Sequence, residues 1–391
     1  MTAPGQPNTV PEWARRLSAG ADPALVARVV RLAAAEWVHP ERVRRALAAR
    51  LDAGRSTAAA PLIEALEVCG AGPLPSAAAA ERLACRLLRL GTKIAVVGEP
   101  GYPARLSTAW PELGAPLWLF VRSADGRVPH GTAAVAVVGT RHPTLEGLRT
   151  ARDLGRLLAG RGVVVVSGMA RGIDQAAHTG ALDADGATVG VLGTGLDVAY
   201  PAGHAGLRDA VAASGGLVSE YPPGTPPRPP NFLWRNRIVA GLADATVVVE
   251  GRARSGALQT ARVAAAQGRE VLAVPGSLYQ PASRAPLDLI RDGARALTRL
   301  DDVFEVLGAL PPPAPPRGTQ TPFPGVDGVA GEVLRLLGAA PATPDRLAAA
   351  SGHAVGAVLA ALADLTARGL AATTPRGVVA VGVPPEGAGD G

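Results

Sequence analysis

The chain has 391 residues, of which 48% are hydrophobic, 18% are charged and only 3% are aromatic, and its formal net charge is +6. This composition is typical of a globular α/β protein with two or three domains, and it excludes a chain that is disordered throughout. The two cysteines, Cys69 and Cys85, have neither CxxC spacing nor a histidine cluster beside them, which excludes a disulfide framework and a zinc site. We therefore expect no metal and no other cofactor.

The positive charge comes almost entirely from arginine, since Lys93 is the sole lysine. A biased genome base composition explains this replacement more simply than phosphate recognition does, so the basic balance fits a polyanion partner without establishing one. No apolar run reaches the roughly 18 residues of a membrane span, and the first residues lack the pattern of a signal peptide. These features predict a cytoplasmic protein that makes no membrane contact.

Residues 1–90 are predicted to form a small helical domain. Leu25, Val29 and Leu32 recur at helical spacing, and prolines stand near the starts of the helical stretches. The predicted helices cover residues 23–32, 40–53, 61–68 and 76–90.

Residues 91–308 show a different pattern, in which β-branched runs alternate with helical stretches. Runs this uniformly apolar predict parallel strands that are buried on both faces. The helices predicted over 145–159 and 259–267 are expected to cover the faces of this sheet. The predicted strands are 94–97, 118–121, 135–138, 163–166, 189–192, 246–249 and 271–274.

The last part of the chain is predicted to be a proline-rich, semi-rigid linker over 309–328 and a winged-helix-like domain over 329–385. The third helix of this domain has no basic residue before Arg368, whereas a helix that reads the major groove offers polar or basic side chains to the bases. The sequence therefore favours a protein contact or a regulatory role over duplex recognition. The predicted elements are helices over 332–337, 344–350 and 355–368 and a hairpin over 370–381.

Glycine-bearing turns follow five of the predicted strands. In an open α/β sheet the carboxyl ends of parallel strands share one edge, and ligands bind there at the switch in strand order. Glycine lets a phosphate approach backbone N–H groups, and each following helix points the positive end of its dipole at that edge. Tight turns alone explain any single glycine, but they do not explain the arginines beside them, so we predict a basic, phosphate-binding cleft. Its residues are Gly139, Thr140 and Arg141; Ser167, Gly168 and Arg171; Gly193 and Gly195; Ser255 and Gly256; and Gly276 and Ser277.

The segment 231–237 concentrates scarce flat and polar side chains directly before a predicted helix and strand. Aromatic faces stack on bases, arginines neutralise phosphates, and asparagine hydrogen-bonds base edges or backbone. The segment therefore predicts a single-stranded nucleic-acid site, although its rings would also fill a gap in an aromatic-poor core. The residues concerned are Phe232, Trp234, Arg235, Asn236 and Arg237.

Signatures of several enzyme classes are missing from the chain. The GTGLD run at 193–197 departs from GxGxxG after its second glycine, and no P-loop occurs, which argues against ATP hydrolysis. Ser167, Asp174 and His178 do not suit a catalytic triad, because Asp174 and His178 lie one helical turn apart and Ser167 is not in a nucleophile elbow. We expect Asp174 to cap or brace its turn, and we expect a protein that is not an enzyme.

Seven motifs occur in order and at suitable spacing between residues 93 and 300. They are GTR at 139–141, SGMARGID at 167–174, GTGLDVAYP at 193–201, GGLVSEYPPG at 215–224, RNRIVAGLADATVVVE at 235–250, SGALQTA at 255–261 and AVPGS at 273–277. Together they resemble the DNA-processing protein A family, DprA or Smf. The resemblance implies an extended Rossmann-like α/β domain with a mostly parallel sheet, flanked by a sterile-alpha-motif-like helical domain and a winged helix. It also implies that the protein binds single-stranded DNA and loads the recombinase RecA onto it, displacing single-strand-binding protein, in natural transformation.

Carried across to this chain, the resemblance implies that Arg141 holds a phosphate and that Ser167 and Gly168 offer donors. It implies further that Phe232, Arg235, Asn236 and Arg237 line the path of the strand. Three replacements depart from the family pattern. Trp234 adds a stacking face, one expected phosphate contact is weakened, and the rim of the cleft loses a glycine and an asparagine. The segments concerned are FLWRN at 232–236, AGH at 202–204 and SRAPL at 283–287.

The resemblance also places self-association, and an overlapping RecA contact, at the end of the Rossmann-like domain. An apolar set lies there, for which burial within the monomer is the alternative to a homodimer interface. It consists of Leu287, Leu289, Ile290 and Leu297.

Two other functions stay open at this point. A nucleoside-monophosphate phosphoribohydrolase needs a carboxylate beside the ribose, and Glu250 at a strand end offers one, although the PGGxGTxxE signature of those enzymes is absent. The third hypothesis is a scaffold that binds partners through its helical ends.

Overall fold

The computed structural model describes residues 10–34, 75–107, 115–129, 132–308, 328–337, 343–368, 370–374 and 377–380. The chain divides into two compact units, Met1–Ala314 and Pro315–Gly391. The predicted helices over 40–53 and 61–68 lie outside the described residues, as does nearly all of the predicted linker.

A nine-stranded sheet forms the centre of the first unit. Its order is β1-β2-β6-β5-β4-β3-β7-β8-β9, and all neighbouring strands from β6 to β9 in this order are parallel. The five strands with predicted glycine turns, β3, β4, β5, β7 and β8, therefore do end at one edge. The strands are β1 (Lys93–Val96), β2 (Trp118–Arg122), β3 (Ala134–Val138), β4 (Val164–Ser167), β5 (Thr188–Leu192), β6 (Gly216–Ser219), β7 (Ala245–Val248), β8 (Glu270–Ala273) and β9 (Arg295–Ala296).

The sheet is mostly parallel, as predicted, but β2 is antiparallel to both β1 and β6. An apolar run indicates burial on both faces but carries no information on direction, and Leu119, Phe120 and Val121 are indeed all buried. Strands β6 and β9 were not predicted. They are four and two residues long, and neither contains a long β-branched run.

Alternate residues of the central strands enter two different cores, one on each face of the sheet. In β3, Ala136 and Val138 belong to one core and Val135 and Val137 to the other. Helices cover both faces, which is why these strands are apolar throughout. The helices are Leu145–Gly160, Ile173–Asp183, Ala205–Ser214, Pro229–Gly241, Gly256–Ala266 and Arg284–Arg291, with a single turn at Ala104–Ser107.

The described N-terminal residues form helices Glu12–Leu17, Pro23–Ala33 and Ala77–Arg89. The last two agree with the predicted helices over 23–32 and 76–90, and their starts are capped by the side chains of Asp22 and Ser76. Their buried side chains belong to the same core as β1 and β2. A separate domain over 1–90 therefore stays a prediction.

The second unit has the order of elements of a winged helix. Helices Gly328–Leu336, Pro344–Ser351 and Val355–Ala367 precede the antiparallel strands β10 (Ala371–Thr374) and β11 (Gly377–Ala380). Among the described residues, no single helix is long and apolar enough to cross a membrane. One pair of consecutive helices in the described part of the chain, Pro344–Ser351 and Val355–Ala367, reaches that length and hydropathy in combination, but the pair is bent by 112°. That pair contributes Leu347, Val358 and Leu365 to the core of the unit.

Candidate functional site

The order of the strands switches between β3 and β7. From β3 the chain adds β4, β5 and β6 on one side, and helix Pro229–Gly241 then leads it back to β7 on the other side. Loops that diverge from neighbouring strands leave a crevice at their carboxyl ends. A cavity of about 320 Å³ lies there, between residues 139–142 after β3 and residues 255–257 after β7. We call it the switch cavity.

A second cavity, of about 400 Å³, lies beside the switch cavity and is lined by residues 168–171 after β4 and 192–194 after β5. We call it the β4–β5 cavity. The two cavities share one wall, so a ligand that occupies both must pass along it. The shared residues are Arg141, His142, Ala170, Phe232 and Arg235.

An aromatic ring stands at the centre of the shared wall. Phe232 packs on Gly193, where an added Cβ would lie 2.8 Å from the Phe232 ring, so a side chain at 193 would displace the ring. The ring of Tyr200 lies 5.0 Å from that of Phe232, centre to centre, and the guanidinium carbon of Arg141 lies 5.5 Å from the Phe232 ring centre. Phe232 is only half-buried, and Arg141 is exposed. A cation and two rings are thus accessible together.

The segment 231–237 lies inside helix Pro229–Gly241, and the prediction that it precedes a helix is wrong. Pro229 and Pro230 occupy the first turn, where a missing N–H costs nothing, so the helix begins before the aromatic residues. Helical spacing then divides the segment between two faces. Phe232, Arg235 and Asn236 line the switch cavity, whereas Trp234 and Arg237 line neither cavity.

Arg237 is committed to an ion pair, and its predicted role in lining the DNA path is wrong. Its Nη2 donates to both carboxylate oxygens of Glu220, at 2.7 and 2.9 Å, and both side chains are buried. Its guanidinium also lies 4.6 Å from the Trp234 ring centre. Because a buried carboxylate needs its partner, Arg237 stabilises the contact between its helix and the end of β6 rather than meeting a phosphate.

Arg235 lies in the floor of the site. Its side chain is 4% exposed and fills the space left by Gly168, where an added Cβ would lie 1.7 Å from Nη1. Burial lowers the pKa of Arg235 to about 10, against the attraction of Asp174. Burial also raises the pKa of Asp174, although Arg235 opposes that shift. Arg235 therefore stays charged at neutral pH and contributes positive potential from beneath the cavities.

The backbone donors predicted to meet phosphate are already used within the protein. The N–H groups of Thr140, Gly168 and Gly195 donate to the Glu250 carbonyl, the Asp174 carboxylate and the Thr225 carbonyl, at 2.8, 3.1 and 3.0 Å. The Ser167 hydroxyl donates to the Val137 carbonyl at 2.6 Å. The prediction that Ser167 and Gly168 offer donors to a phosphate is therefore wrong. At 168 and 193 glycine makes room for Arg235 and Phe232 instead.

Two exposed arginines at the cavities have no ion-pair partner among the described residues. Arg141 lies on the shared wall, and Arg171 lines the β4–β5 cavity. Burial and the nearby charge of Arg171 together lower the pKa of His204. Side chains, rather than backbone nests, thus supply the available positive charge.

The remaining predicted residues have mixed positions. Asn236 donates to the Gly256 carbonyl at 3.2 Å, and Ser255 caps helix Gly256–Ala266, so these three join the helix to the turn after β7. Gly276 and Ser277 are exposed and line neither cavity. Tyr200 was not predicted, although its ring faces Phe232. The YP motif that contains it was the available signal.

The groups considered for catalysis have structural roles. Asp174 braces its turn, as predicted, by accepting from the N–H groups of Gly168 and Ala170. Glu250 accepts from the N–H and hydroxyl of Thr144, at 3.0 and 2.5 Å, beneath the start of helix Leu145–Gly160, and lines neither cavity. Among the described residues, no three metal-ligating side chains cluster in a way that would hold an ion.

The apolar set predicted at the end of the domain is only partly available at the surface. Leu289 and Leu297 are buried in the cores of the monomer, so their prediction as interface residues is wrong. Helix Arg284–Arg291 packs on the sheet through Leu289, and its helical spacing turns Leu287 and Ile290 partly outward. These two are half-buried.

Comparison with known proteins agrees with the motifs and the fold. The family model described as DNA recombination-mediator protein A matches residues 93–308, and the model described as DprA winged helix domain matches 310–375. The chain is 42% identical over 299 residues to a putative DNA processing protein DprA of Mycobacterium tuberculosis, which covers 73% of this chain and 76% of that protein. It is 39% identical over 257 residues to protein Smf of Escherichia coli, covering 63% and 67%. The structure of DNA processing protein A from Streptococcus pneumoniae matches with a TM-score of 0.57 and 29% identity, covering 71% of this chain and 96% of that one.

Proposed function

Since this chain belongs to the DNA recombination-mediator protein A family, also called DprA or Smf, we propose that its two cavities bind single-stranded DNA. The observation that carries the proposal is the exposed Arg141 beside the half-buried ring of Phe232 on the shared wall. A base that stacks on Phe232 takes the place of the guanidinium over the ring. The displaced guanidinium of Arg141 then binds a phosphate of the same strand. The base thus stacks on an aromatic ring, and the cation pairs with an anion.

The shared wall favours a polymer over a mononucleotide. Two adjoining cavities, with Arg141 between them and Arg171 in the second, suit successive units of one strand. The hydrolase alternative requires a carboxylate that faces the ribose, but Glu250 is buried and holds Thr144. We infer that the chain binds DNA without cleaving a glycosidic bond.

We propose that the second unit contacts protein rather than duplex DNA. Its third helix, Val355–Ala367, exposes Val355 and Leu359, which are 42% and 50% accessible. The basic residue that follows, Arg368, is held by Asp364 at 3.0 Å. A helix face with these side chains offers base edges no hydrogen bonds.

We propose further that the chain loads RecA onto single-stranded DNA in DNA uptake or recombination, which would place it in the cytoplasm. The family description as a recombination mediator supports this role. The test measures RecA filament assembly on DNA coated with single-strand-binding protein, with and without the chain. Assembly that the chain does not accelerate contradicts the role.

A homodimer is proposed through Leu287 and Ile290, the half-buried members of the apolar set. Ile290→Glu should give a folded monomer in light scattering, while wild type gives a dimer. An unfolded variant would show instead that Ile290 serves the core against which it packs.

The binding proposal is tested by titrating fluorescent oligo-dT, single-stranded and as a duplex with oligo-dA, at two salt concentrations. We expect tighter binding to the single strand and weaker binding at the higher salt concentration. Incubation with nucleoside monophosphates should release no free base. Release of base together with weak oligonucleotide binding would favour the hydrolase.

A further inference from the structure

The loop after β8 exposes two large side chains at the same edge of the sheet as the cavities. Leu278 is 81% and Tyr279 is 95% exposed. The loop is nevertheless ordered by local hydrogen bonds, because the N–H groups of Tyr279 and Gln280 donate to the hydroxyl and carbonyl of Ser277, at 3.3 and 3.1 Å. An ordered turn that holds an aromatic side chain in solvent resembles a stacking platform more than a packing residue.

This loop adjoins the turn after β7, since β7 and β8 are neighbouring parallel strands. The Gly251 N–H donates to the Ala282 carbonyl at 2.6 Å, and the Ala285 N–H donates to the Gly251 carbonyl at 2.8 Å. The residue after Gly251 is Arg252. The two turns are therefore fixed to each other at their base.

The turn after β7 carries two arginines that are free to meet an anion. Arg252 and Arg254 are exposed, and neither forms an ion pair with any described residue. Arg284 differs, because its Nε donates to Asp288 at 3.2 Å. The sole acidic residue between 251 and 284 is Glu270, which begins β8 at the opposite edge of the sheet. Within this stretch of the chain, no acidic residue lies in the turn that carries the two arginines.

The same turn leads directly into the switch cavity. Ser255 and Gly256, which follow Arg254, line that cavity, and the Asn236 side chain is bonded to the Gly256 carbonyl. Because Arg254 directly precedes Ser255, the turn that carries the two arginines adjoins the wall of the cavity. The loop that carries Tyr279 adjoins them.

We propose that the surface formed by Arg252, Arg254, Leu278 and Tyr279, here called the β7–β8 patch, extends the single-stranded DNA path beyond the switch cavity. The two arginines bind successive phosphates, and Tyr279 stacks on a base with Leu278 beside it. This extension rests on the proposed function. Unpaired cations together with an exposed ring match a polyanion that carries bases better than they match a protein partner, whose surface would have to supply two carboxylates.

The test compares two lengths of oligo-dT in fluorescence anisotropy with the full chain. The short oligonucleotide is the shortest one that the Arg141→Ala variant binds more weakly than wild type does. The long oligonucleotide is several times that length. Tyr279→Ala should weaken binding of the long oligonucleotide by about 5- to 150-fold, the range for loss of one stacked base, and should leave the short one unchanged. Tyr279→Phe should bind both as wild type does.

The arginines have their own signature in the same assay. Arg252→Ala combined with Arg254→Ala should make the slope of log affinity against log salt shallower by about 1.4 for the long oligonucleotide, at about 0.7 for each phosphate contact. Arg82→Ala is the matched control, because Arg82 is exposed on helix Ala77–Arg89 and has no ion-pair partner among the described residues.

Each contrary result has a distinct meaning. Unchanged affinity of Tyr279→Ala for the long oligonucleotide, or an equal loss at both lengths, overturns the extension. A change of mass in light scattering without a change of DNA affinity shows that the β7–β8 patch contacts protein and also overturns it. If Arg141→Ala binds every length as wild type does, the proposed function itself fails.

Discussion

Replacement of His178 should remove a defined part of the pH dependence of folding. His178 is fully buried, and its Nδ1 lies 2.7 Å from the Thr188 hydroxyl oxygen. That hydroxyl donates its own hydrogen to the Val165 carbonyl at 2.8 Å, so Nδ1 must carry the proton and Nε2 must be bare. Nε2 is buried with no hydrogen-bond partner among the described residues. The ring is therefore held neutral.

The size of the effect follows from the pKa. Burial, and then the charges of Arg235 and His204, lower the pKa of His178 to about 3, from 6.5. When the pKa of a histidine is lower in the folded state than in the unfolded chain, the free energy of unfolding keeps its full value at pH values above the unfolded pKa. That stability is lost as the pH falls from 6.5 toward 3, because only the unfolded chain takes up the proton. When the pH is lowered from about 7.5 to about 5, His178 should lower the free energy of unfolding by about 2 kcal/mol.

The assay is urea unfolding followed by tryptophan fluorescence. All five tryptophans lie in Met1–Ala314, so the signal reports the unit that contains His178. His178→Asn keeps a donor near Thr188 but does not titrate, and its free energy of unfolding should fall by about 2 kcal/mol less than that of wild type over this pH range. The exposed His142→Asn is the control and should behave as wild type. If His178→Asn loses as much stability as wild type does on acidification, the buried neutral histidine is not the cause.

Two further predictions concern the ion pair and the second unit. Arg237→Ala should lower the free energy of unfolding by about 3–5 kcal/mol, because it leaves the Glu220 carboxylate buried without its partner, and adding Glu220→Gln should restore part of that loss. A double variant that is less stable than Arg237→Ala contradicts this reason. A chain truncated after Gly308 should stay folded and keep its affinity for oligo-dT, since both cavities lie before that residue. Loss of binding on truncation would show that the winged helix contacts DNA.

The edge of the sheet that holds the cavities was predictable from the sequence. Apolar runs with glycine turns located five strands, and the rule that ligands bind at a switch in strand order located the cavity between β3 and β7. The direction of β2 was not predictable, because burial on both faces is compatible with either direction.

The roles of the individual arginines were not predictable from residue type. The three arginines are equally basic in the sequence, but their surroundings differ. Arg141 is exposed beside the Phe232 ring, Arg235 is buried against Gly168, and Arg237 is paired with Glu220. What separates them is the phase of helix Pro229–Gly241 and the acidic partners that the fold brings near. The start of that helix could have been read from Pro229 and Pro230, and it would have placed Arg235 and Arg237 on different faces.

The salt dependence of oligo-dT binding in Arg141→Ala tests the central claim most directly. Arg141 is exposed and has no ion-pair partner among the described residues, so its loss should leave the free energy of unfolding nearly unchanged. We predict weaker binding to every sequence alike and a slope of log affinity against log salt that is shallower by about 0.7. Phe232→Ala, as the comparison, should weaken binding by about 1–3 kcal/mol with an unchanged slope. An Arg141→Ala chain with wild-type affinity and slope would contradict the claim that these cavities bind single-stranded DNA.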